Sequence, residues 1–183
     1  MNKKIIGIIA LLVVVLGVFL FYINGNNDQK TKDEAVDIKQ LVEDLSLRKV
    51  ESPSASITSE QLIMVNEKEE EVIYELPEDE FFVSIAPFIE TTHPCANHSL
   101  TGCQGELVNQ TFEVLIEDED GNVLVDETMT TMENGFIDLW LPRNKIFNVT
   151  ITQDGKMAEQ EISTFKGDNT CITTMQLVEK ENV

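Results

Sequence analysis

The sequence predicts a mainly β (α+β) protein with three parts: an N-terminal transmembrane helix, a small helix-plus-strands segment, and an antiparallel β-sandwich of immunoglobulin-like or transthyretin-like form. Three observations predict this fold class. A long uncharged run lies near the N-terminus, one stretch has helical periodicity, and the second half alternates apolar and polar residues between Asn-Gly and Asp-Gly pairs. We therefore divide the chain into residues 1–27, 28–80 and 81–183.

The N-terminal run Ile5–Ile23 contains nineteen residues without a charge or a proline, and Lys3 and Lys4 precede it. A helix of this length spans the hydrocarbon core of a bilayer, and the two lysines favour a cytoplasmic N-terminus. A cleaved signal peptide is the alternative, although the bulky residues 19–23 stand where a peptidase requires small ones. We expect an extracytoplasmic protein anchored to the cell membrane, or a periplasmic or secreted one if the segment is cleaved.

Charge is distributed unevenly along the chain. All 33 acidic residues and 11 of the 13 basic residues follow Asn24. This strongly acidic exterior part would repel nucleic acids and anionic lipids, so neither is expected as a partner.

The segment after the anchor predicts one helix and then strands. Thr31–Glu34 has the capping-box pattern, and apolar residues at helical spacing predict a helix over about residues 33–46. Ser52–Ser56 is interpreted as a break. The predicted strands are Gln61–Val65, Glu71–Leu76, Phe81–Ile89, Phe112–Ile116, Val123–Val125, Phe136–Leu141, Lys145–Thr152, Ala158–Thr164 and Cys171–Val178.

Residues 93–103 contain both histidines of the chain and two of its three cysteines. They follow a predicted strand and therefore form a loop. Thiolates select Cu(I), zinc or iron–sulfur clusters, and imidazole suits copper and zinc. The third cysteine begins the last predicted strand, which can lie beside the strand that leads into the loop. The predicted metal ligands are Cys95, Cys103, Cys171, His93 and His98.

Other interpretations of the cysteines stay open. Three cysteines cannot all pair within one chain, and Cys95 and Cys103 could form a structural disulfide in an acidic binding module. The ligand set alone also allows a structural zinc site. A thiol–disulfide oxidoreductase is disfavoured because the chain has no Cys-x-x-Cys motif.

Several motifs resemble the CueP family of bacterial copper-binding proteins. They are His93–Cys95, His98–Leu100, Cys103–Leu107, Asn134–Phe136, Leu139–Arg143, Val149–Ile151 and Thr170–Cys171, within a resemblance that covers roughly residues 57–177. The resemblance implies a periplasmic Cu(I) protein whose three cysteines are the key residues. It also implies a role in copper detoxification or delivery, for example to Cu,Zn-superoxide dismutase, and a homodimer. The apparent uncleaved anchor departs from this pattern.

Together these observations predict an extracytoplasmic Cu(I)-binding protein for copper tolerance or delivery, in which residues 81–183 form the copper-binding domain. A dithiol can also reduce Cu(II), and the histidines could capture Cu(II) first. This reduction would be stoichiometric, so we do not expect a conventional enzyme. The expected partners are copper ions, a copper-accepting client protein, the membrane through the N-terminal helix, and a second copy of the chain; zinc should bind more weakly.

Overall fold

The computed structural model describes residues 36–66 and 68–180. The described residues from Asp37 onward belong to one compact unit. The predicted anchor, Ile5–Ile23, and the capping box lie outside the described residues. Within the described ranges, no helix has both the length and the apolar character needed to cross a membrane. The predicted domain boundary at residue 80 stays a prediction.

Helix α1 covers Ile38–Ser46 and ends where its periodicity predicted. The predicted start near residue 33 was too early for this helix. Asp37 is instead the N-cap, and its carboxylate accepts a hydrogen bond from the Gln40 backbone N–H at 3.1 Å. This bond satisfies one of the N–H groups that the first helical turn leaves without a partner. The buried face of α1 carries Val42 and Leu45.

A four-stranded sheet packs against α1. Its strands, in spatial order, are β3 (Glu71–Glu75), β2 (Gln61–Val65), β1 (Ala55–Ile57) and β5 (His98–Ser99). Strands β2 and β3 confirm the sequence prediction, whereas β1 and β5 were missed. The prediction of a break at Ser52–Ser56 was wrong at its end, since Ala55 and Ile57 are fully buried in the core that α1 shares with this sheet.

Two further sheets enclose a second core. One contains β11 (Cys171–Ile172), β4 (Glu80–Ile85) and β8 (Ile137–Pro142); the other contains β12 (Val178–Glu179), β10 (Lys156–Ser163), β9 (Ile146–Gln153), β6 (Thr111–Asp118) and β7 (Val123–Thr130). Buried residues from both sheets form one continuous cluster, in which the alternating apolar faces of the strands meet. The mainly β class is thus confirmed; a specific immunoglobulin-like or transthyretin-like topology stays a prediction.

The last predicted strand, Cys171–Val178, is not continuous. Its first residues form β11, which pairs in parallel with β4, and its end forms β12, which pairs with β10 in the other sheet. Between β11 and β12 the chain crosses from one sheet to the other, so residues 171–178 cannot form one continuous strand. The register Cys171↔Ser84 confirms that Cys171 lies beside the strand that leads into the histidine- and cysteine-containing loop.

Candidate metal centre

The loop between β4 and β6 is held at both ends. The carboxylate of Glu106, near its end, accepts hydrogen bonds from the backbone N–H groups of Ile89, Glu90 and Thr91, near its beginning, at 2.8, 3.0 and 3.2 Å. Desolvation alone would raise the pKa of Glu106, but these three donors together lower it. The carboxylate therefore acts as a clamp that closes the loop.

A close backbone crossing fixes the end of the loop against the turn before β8. The Gly105 N–H donates to the Asn134 carbonyl at 2.7 Å. A Cβ atom at Gly105 would lie 2.6 Å from the Gly135 carbonyl oxygen, and Gly135 has φ of +79°. Only glycine fits this approach without displacement of the backbone. The crossing places Phe136 beside the predicted metal ligands.

The three cysteine side chains converge. Cys95 and Cys103 come from the loop, and their Sγ atoms lie 3.6 Å apart. Cys171 reaches the same place from β11 and is buried. All three are unpaired in this structure. The Sγ separation exceeds the S–S bond length of about 2.05 Å, so a Cys95–Cys103 disulfide needs a short movement of the loop.

The two histidines lie at different depths. His98 is fully buried in β5, and its Nδ1 atom is 3.5 Å from Cys171 Sγ. His93 is half-buried, and its carbonyl accepts a hydrogen bond from the Thr173 hydroxyl at 2.7 Å. The Phe136 ring contacts both imidazoles, with centroid distances of 4.5 Å to His98 and 6.5 Å to His93.

All five predicted ligands fall into two overlapping groups. His93, Cys95 and Cys103 form the outer group, which is half-buried; His98, Cys103 and Cys171 form the inner group. In each group the candidate ligand atoms lie within 4.8 Å of one another. Neither group contains a carboxylate, so the donor chemistry suits a soft or borderline metal rather than Ca²⁺ or Mg²⁺. Cys103 belongs to both groups.

The shared cysteine is also the most acidic of the three. A hydrogen bond from the Cys171 thiol, together with one from the Ser99 backbone N–H, holds the pKa of Cys103 far below that of an ordinary thiol. The same hydrogen bond, together with burial, raises the pKa of Cys171. Burial raises the pKa of Cys95. The metal-free centre therefore carries one thiolate, on Cys103, and two thiols.

Comparisons with known proteins identify the family of this chain. The family model described as "Periplasmic copper-binding protein CueP" matches residues 37–176. The chain belongs to the CueP family. It is also similar to the crystal structure of S.CueP, with 38% sequence identity and a TM-score of 0.73, over 79% of this chain and 91% of that chain. No curated protein sequence matches the chain.

CueP membership makes copper the metal that this cysteine–histidine cluster is expected to bind, and the family is periplasmic. The chain's thiolate and imidazole donors fit copper, whose affinity for such ligands is high. The ligand assignment for individual residues stays a prediction.

Sequence reasoning missed the residues that support the ligands. Thr170 accepts a hydrogen bond from the His98 backbone N–H at 3.0 Å and donates to the Ile57 carbonyl at 2.6 Å. Ser84 lies 3.4 Å from His98 Nε2, and its hydroxyl donates to Asp138. Ser84 lies on β4, just before the loop, whereas Asp138 on β8 and Thr170 on the approach to β11 are far from the loop in sequence. The resemblance to CueP gave the only signal for them, because Thr170 lies in the motif Thr170–Cys171 and Ser84 in the similar stretch Phe82–Pro87; Asp138 had no signal.

Proposed function

We propose that this CueP-family chain captures copper outside the cytoplasm and holds it as Cu(I) on Cys95, Cys103 and Cys171, with His93 and His98 as additional ligands. The observation that supports this proposal is the pair of ligand groups that share Cys103. Cu(I) accepts two- or three-coordinate sulfur sites, so three converging sulfur atoms suit it. The half-buried outer group captures the ion, and the buried inner group retains it.

The charge of the centre supports the same assignment. Cys103 is the group whose pKa is lowered, so it offers a ready thiolate to an arriving cation. Cys171 and Cys95 each lose a proton when they bind, which makes copper affinity depend on pH. The acidic surface of the exterior part favours the approach of cations.

The thiols also supply a route from Cu(II) to Cu(I). Two Cu(II) ions each take one electron, a single S–S bond forms between Cys95 and Cys103, and one proton leaves Cys95, because Cys103 is already a thiolate. The starting Sγ separation of 3.6 Å favours this bond. The step is stoichiometric and uses two of the sulfur ligands, so Cu(I) is held on all three cysteines only after an external thiol reductant restores the dithiol. We therefore propose that the chain is a binding protein and not a conventional enzyme.

The setting of the proposed function is the outer face of a membrane. The uncharged run Ile5–Ile23 would anchor the chain there, and the protein would serve copper tolerance or pass copper to a client protein, alone or as a homodimer. Retention of the full-length chain in the membrane fraction after a high-salt wash tests the anchor. A cellular chain that begins near residue 24 contradicts it.

Zinc is the second candidate metal, because the inner group has one histidine and two cysteines in mutual reach. Competition distinguishes the metals. The reduced full-length chain should take Cu(I) from a chromophoric chelator of known affinity, and zinc should not displace it. If freshly reduced protein binds no Cu(I), or if zinc competes on equal terms, the Cu(I) function is wrong; a chain that binds neither metal would be an acidic binding module.

A further inference from the structure

The buried His98 ring has a polar neighbour at each nitrogen. Nδ1 faces Cys171 Sγ at 3.5 Å, inside the ligand cluster. Nε2 faces Ser84 Oγ at 3.4 Å, on the side away from the cluster. Phe136 and Phe82 flank the ring, with centroid distances of 4.5 and 6.2 Å. A neutral imidazole has one N–H and one lone pair, so only one nitrogen can bind a metal.

The hydroxyl hydrogen of Ser84 already takes part in another hydrogen bond. It is donated to Asp138 Oδ1 at 2.5 Å, while Asp138 Oδ2 accepts the hydroxyl hydrogen of Ser46 at 2.6 Å. A serine hydroxyl has a single hydrogen, so Ser84 Oγ can only accept from His98. Burial raises the pKa of Asp138, and the hydrogen bonds from Ser46 and Ser84 oppose this shift because they favour the carboxylate. When Asp138 is ionised, the hydrogen between Ser84 and His98 must belong to His98 Nε2. The lone pair of His98 is left on Nδ1, which is the nitrogen that faces Cys171.

We propose that Asp138 is a positioning residue that acts through Ser84 to keep the hydrogen of His98 on Nε2 and to present Nδ1 to copper. The proposal rests on the proposed function for its purpose. Histidine ligands of metals commonly donate their other N–H to an outer acceptor, which fixes the tautomer and the ring orientation. Here the acceptor is a serine that a buried carboxylate orients.

The chain Asp138–Ser84–His98 also links the metal centre to α1. Ser46 is the last residue of α1 and is buried, Ser84 lies on β4, and Asp138 lies on β8. A purely structural role is the competing explanation, in which Asp138 only fastens α1 to the sheet through Ser46. The two explanations differ in what they predict for the His98 tautomer.

The tautomer can be measured on the metal-free, reduced full-length chain with ¹⁵N-labelled histidine. The chain has two histidines, so His93→Ala assigns the remaining ring unambiguously. Long-range ¹H–¹⁵N correlation spectra should show His98 as the Nε2–H tautomer. If His98 in the parent protein is the Nδ1–H tautomer instead, the proposal is wrong, whatever the variants described next show.

Two variants test the direction of the hydrogen bonds. Ser84→Ala removes the acceptor, so His98 should become a mixture of tautomers. Asp138→Ala frees the Ser84 hydroxyl to donate to Nε2, so the hydrogen should move to Nδ1. Ser59→Ala is the matched control, because Ser59 is also buried but its Oγ accepts from the Gly167 N–H instead. If Asp138→Ala folds and leaves the tautomer unchanged, Asp138 has only a structural role.

Copper affinity gives an independent readout. Ser84→Ala should weaken Cu(I) binding about tenfold, the lower range for loss of an outer partner of a ligand. In a His98→Ala background the same change should have no further effect, because the ligand that Ser84 orients is already absent. Equal losses in both backgrounds contradict the proposal.

The outcomes separate this inference from the proposed function. Parent protein that binds Cu(I) with an Nδ1–H tautomer retains the function and rejects the role of Asp138. If the parent protein has the Nε2–H tautomer but binds no Cu(I), the proposed function is wrong. In that case His98 is still oriented by Ser84 and Asp138, but not for copper binding.

Discussion

The outer and inner ligand groups of the metal centre occupy different kinds of structure. His93 and Cys95 lie on the loop and are half-buried. His93 is held through its carbonyl, which accepts from the Thr173 hydroxyl, and the Cys95 thiol donates to the Asn97 carbonyl. His98 and Cys171 lie on strands, are buried, and have partners on several elements. Accessible ligands on a loop favour capture and exchange, whereas buried ligands on strands favour retention. One centre can therefore separate capture from retention, because Cys103 belongs to both groups.

The largest effect is expected at the shared residue. Cys103→Ser removes a ligand from both groups, and Cys103 is the one cysteine of the three whose pKa is lowered. Cu(I) affinity should fall by at least about 100-fold, since loss of a direct ligand exceeds the loss of an outer partner. Chelator competition on the reduced full-length chain measures it. Parent-like affinity would show that the two groups do not share a ligand.

Loss of the inner cysteine and loss of the outer cysteine should affect different properties of copper binding. Cys171→Ser should lower equilibrium Cu(I) affinity more than Cys95→Ser, because it removes the buried sulfur of the inner group. Cys95→Ser should instead slow the uptake of copper and abolish the reduction of Cu(II). Stopped-flow uptake and equilibrium competition distinguish the two. Identical profiles for both variants would contradict the division into capture and retention.

The histidines should repeat this contrast on a smaller scale. We expect His98→Ala to weaken Cu(I) binding by about 10- to 100-fold, more than loss of its outer partner Ser84, and His93→Ala to have less effect on Cu(I) but to impair capture of Cu(II). Because His98 is fully buried, the thermal unfolding of the His98→Ala variant has to be measured in parallel with its Cu(I) affinity. A larger loss of Cu(I) affinity in His93→Ala would reverse the assignment of the groups.

The number of protons released on copper binding should also distinguish Cys103 from the other two cysteines. Above the lowered pKa of Cys103 that residue has no proton to release, whereas Cys95 and Cys171 retain theirs because their pKa values are raised. Copper affinity should fall as the pH falls, with a slope that corresponds to two released protons if all three sulfur atoms bind. Calorimetry in buffers of different ionisation enthalpy measures this number. A value of three would show that Cys103 is a thiol before copper binds.

The smallest effect concerns the loop that carries the outer group. Glu106→Gln should reduce stability by about 1 kcal/mol, since the charged acceptor for three backbone donors is lost. The folded-state pKa of Glu106 is lowered, so its contribution is present above the unfolded value near 4.5 and is lost as the pH falls through the folded pKa. Denaturant unfolding of both proteins should therefore converge in acid. If the two proteins still differ in stability in acid, the charge of the Glu106 carboxylate is not the cause of the difference.

Much of this architecture follows from local patterns in the sequence. Strands with an alternating face, such as Gln61–Val65, were predicted closely because half-buried strands need that alternation. Strand β5 was missed because two residues are too short for any period, and Cys171–Val178 was predicted as one strand because the crossing between sheets leaves no local signal.

The ligands of the site could be predicted, but their supports could not. Four of the five candidate ligands lie within eleven consecutive residues, which is visible in the sequence. Asp138 and Ser84 sit in ordinary alternating strands, and only the pairing of β4 with β8 brings them together behind His98. Such contacts depend on tertiary structure, so no spacing rule along the chain reports them.

The coordination of copper in the loaded protein is the most direct test of a Cu(I) centre built around Cys103. X-ray absorption of the reduced full-length chain with one equivalent of copper should show the edge of Cu(I) and a shell dominated by sulfur, with one imidazole nitrogen. That nitrogen should disappear in His98→Ala and persist in His93→Ala. A shell of nitrogen and oxygen without sulfur, or a spectrum unchanged in Cys103→Ser, would contradict a Cu(I) centre built around the shared cysteine.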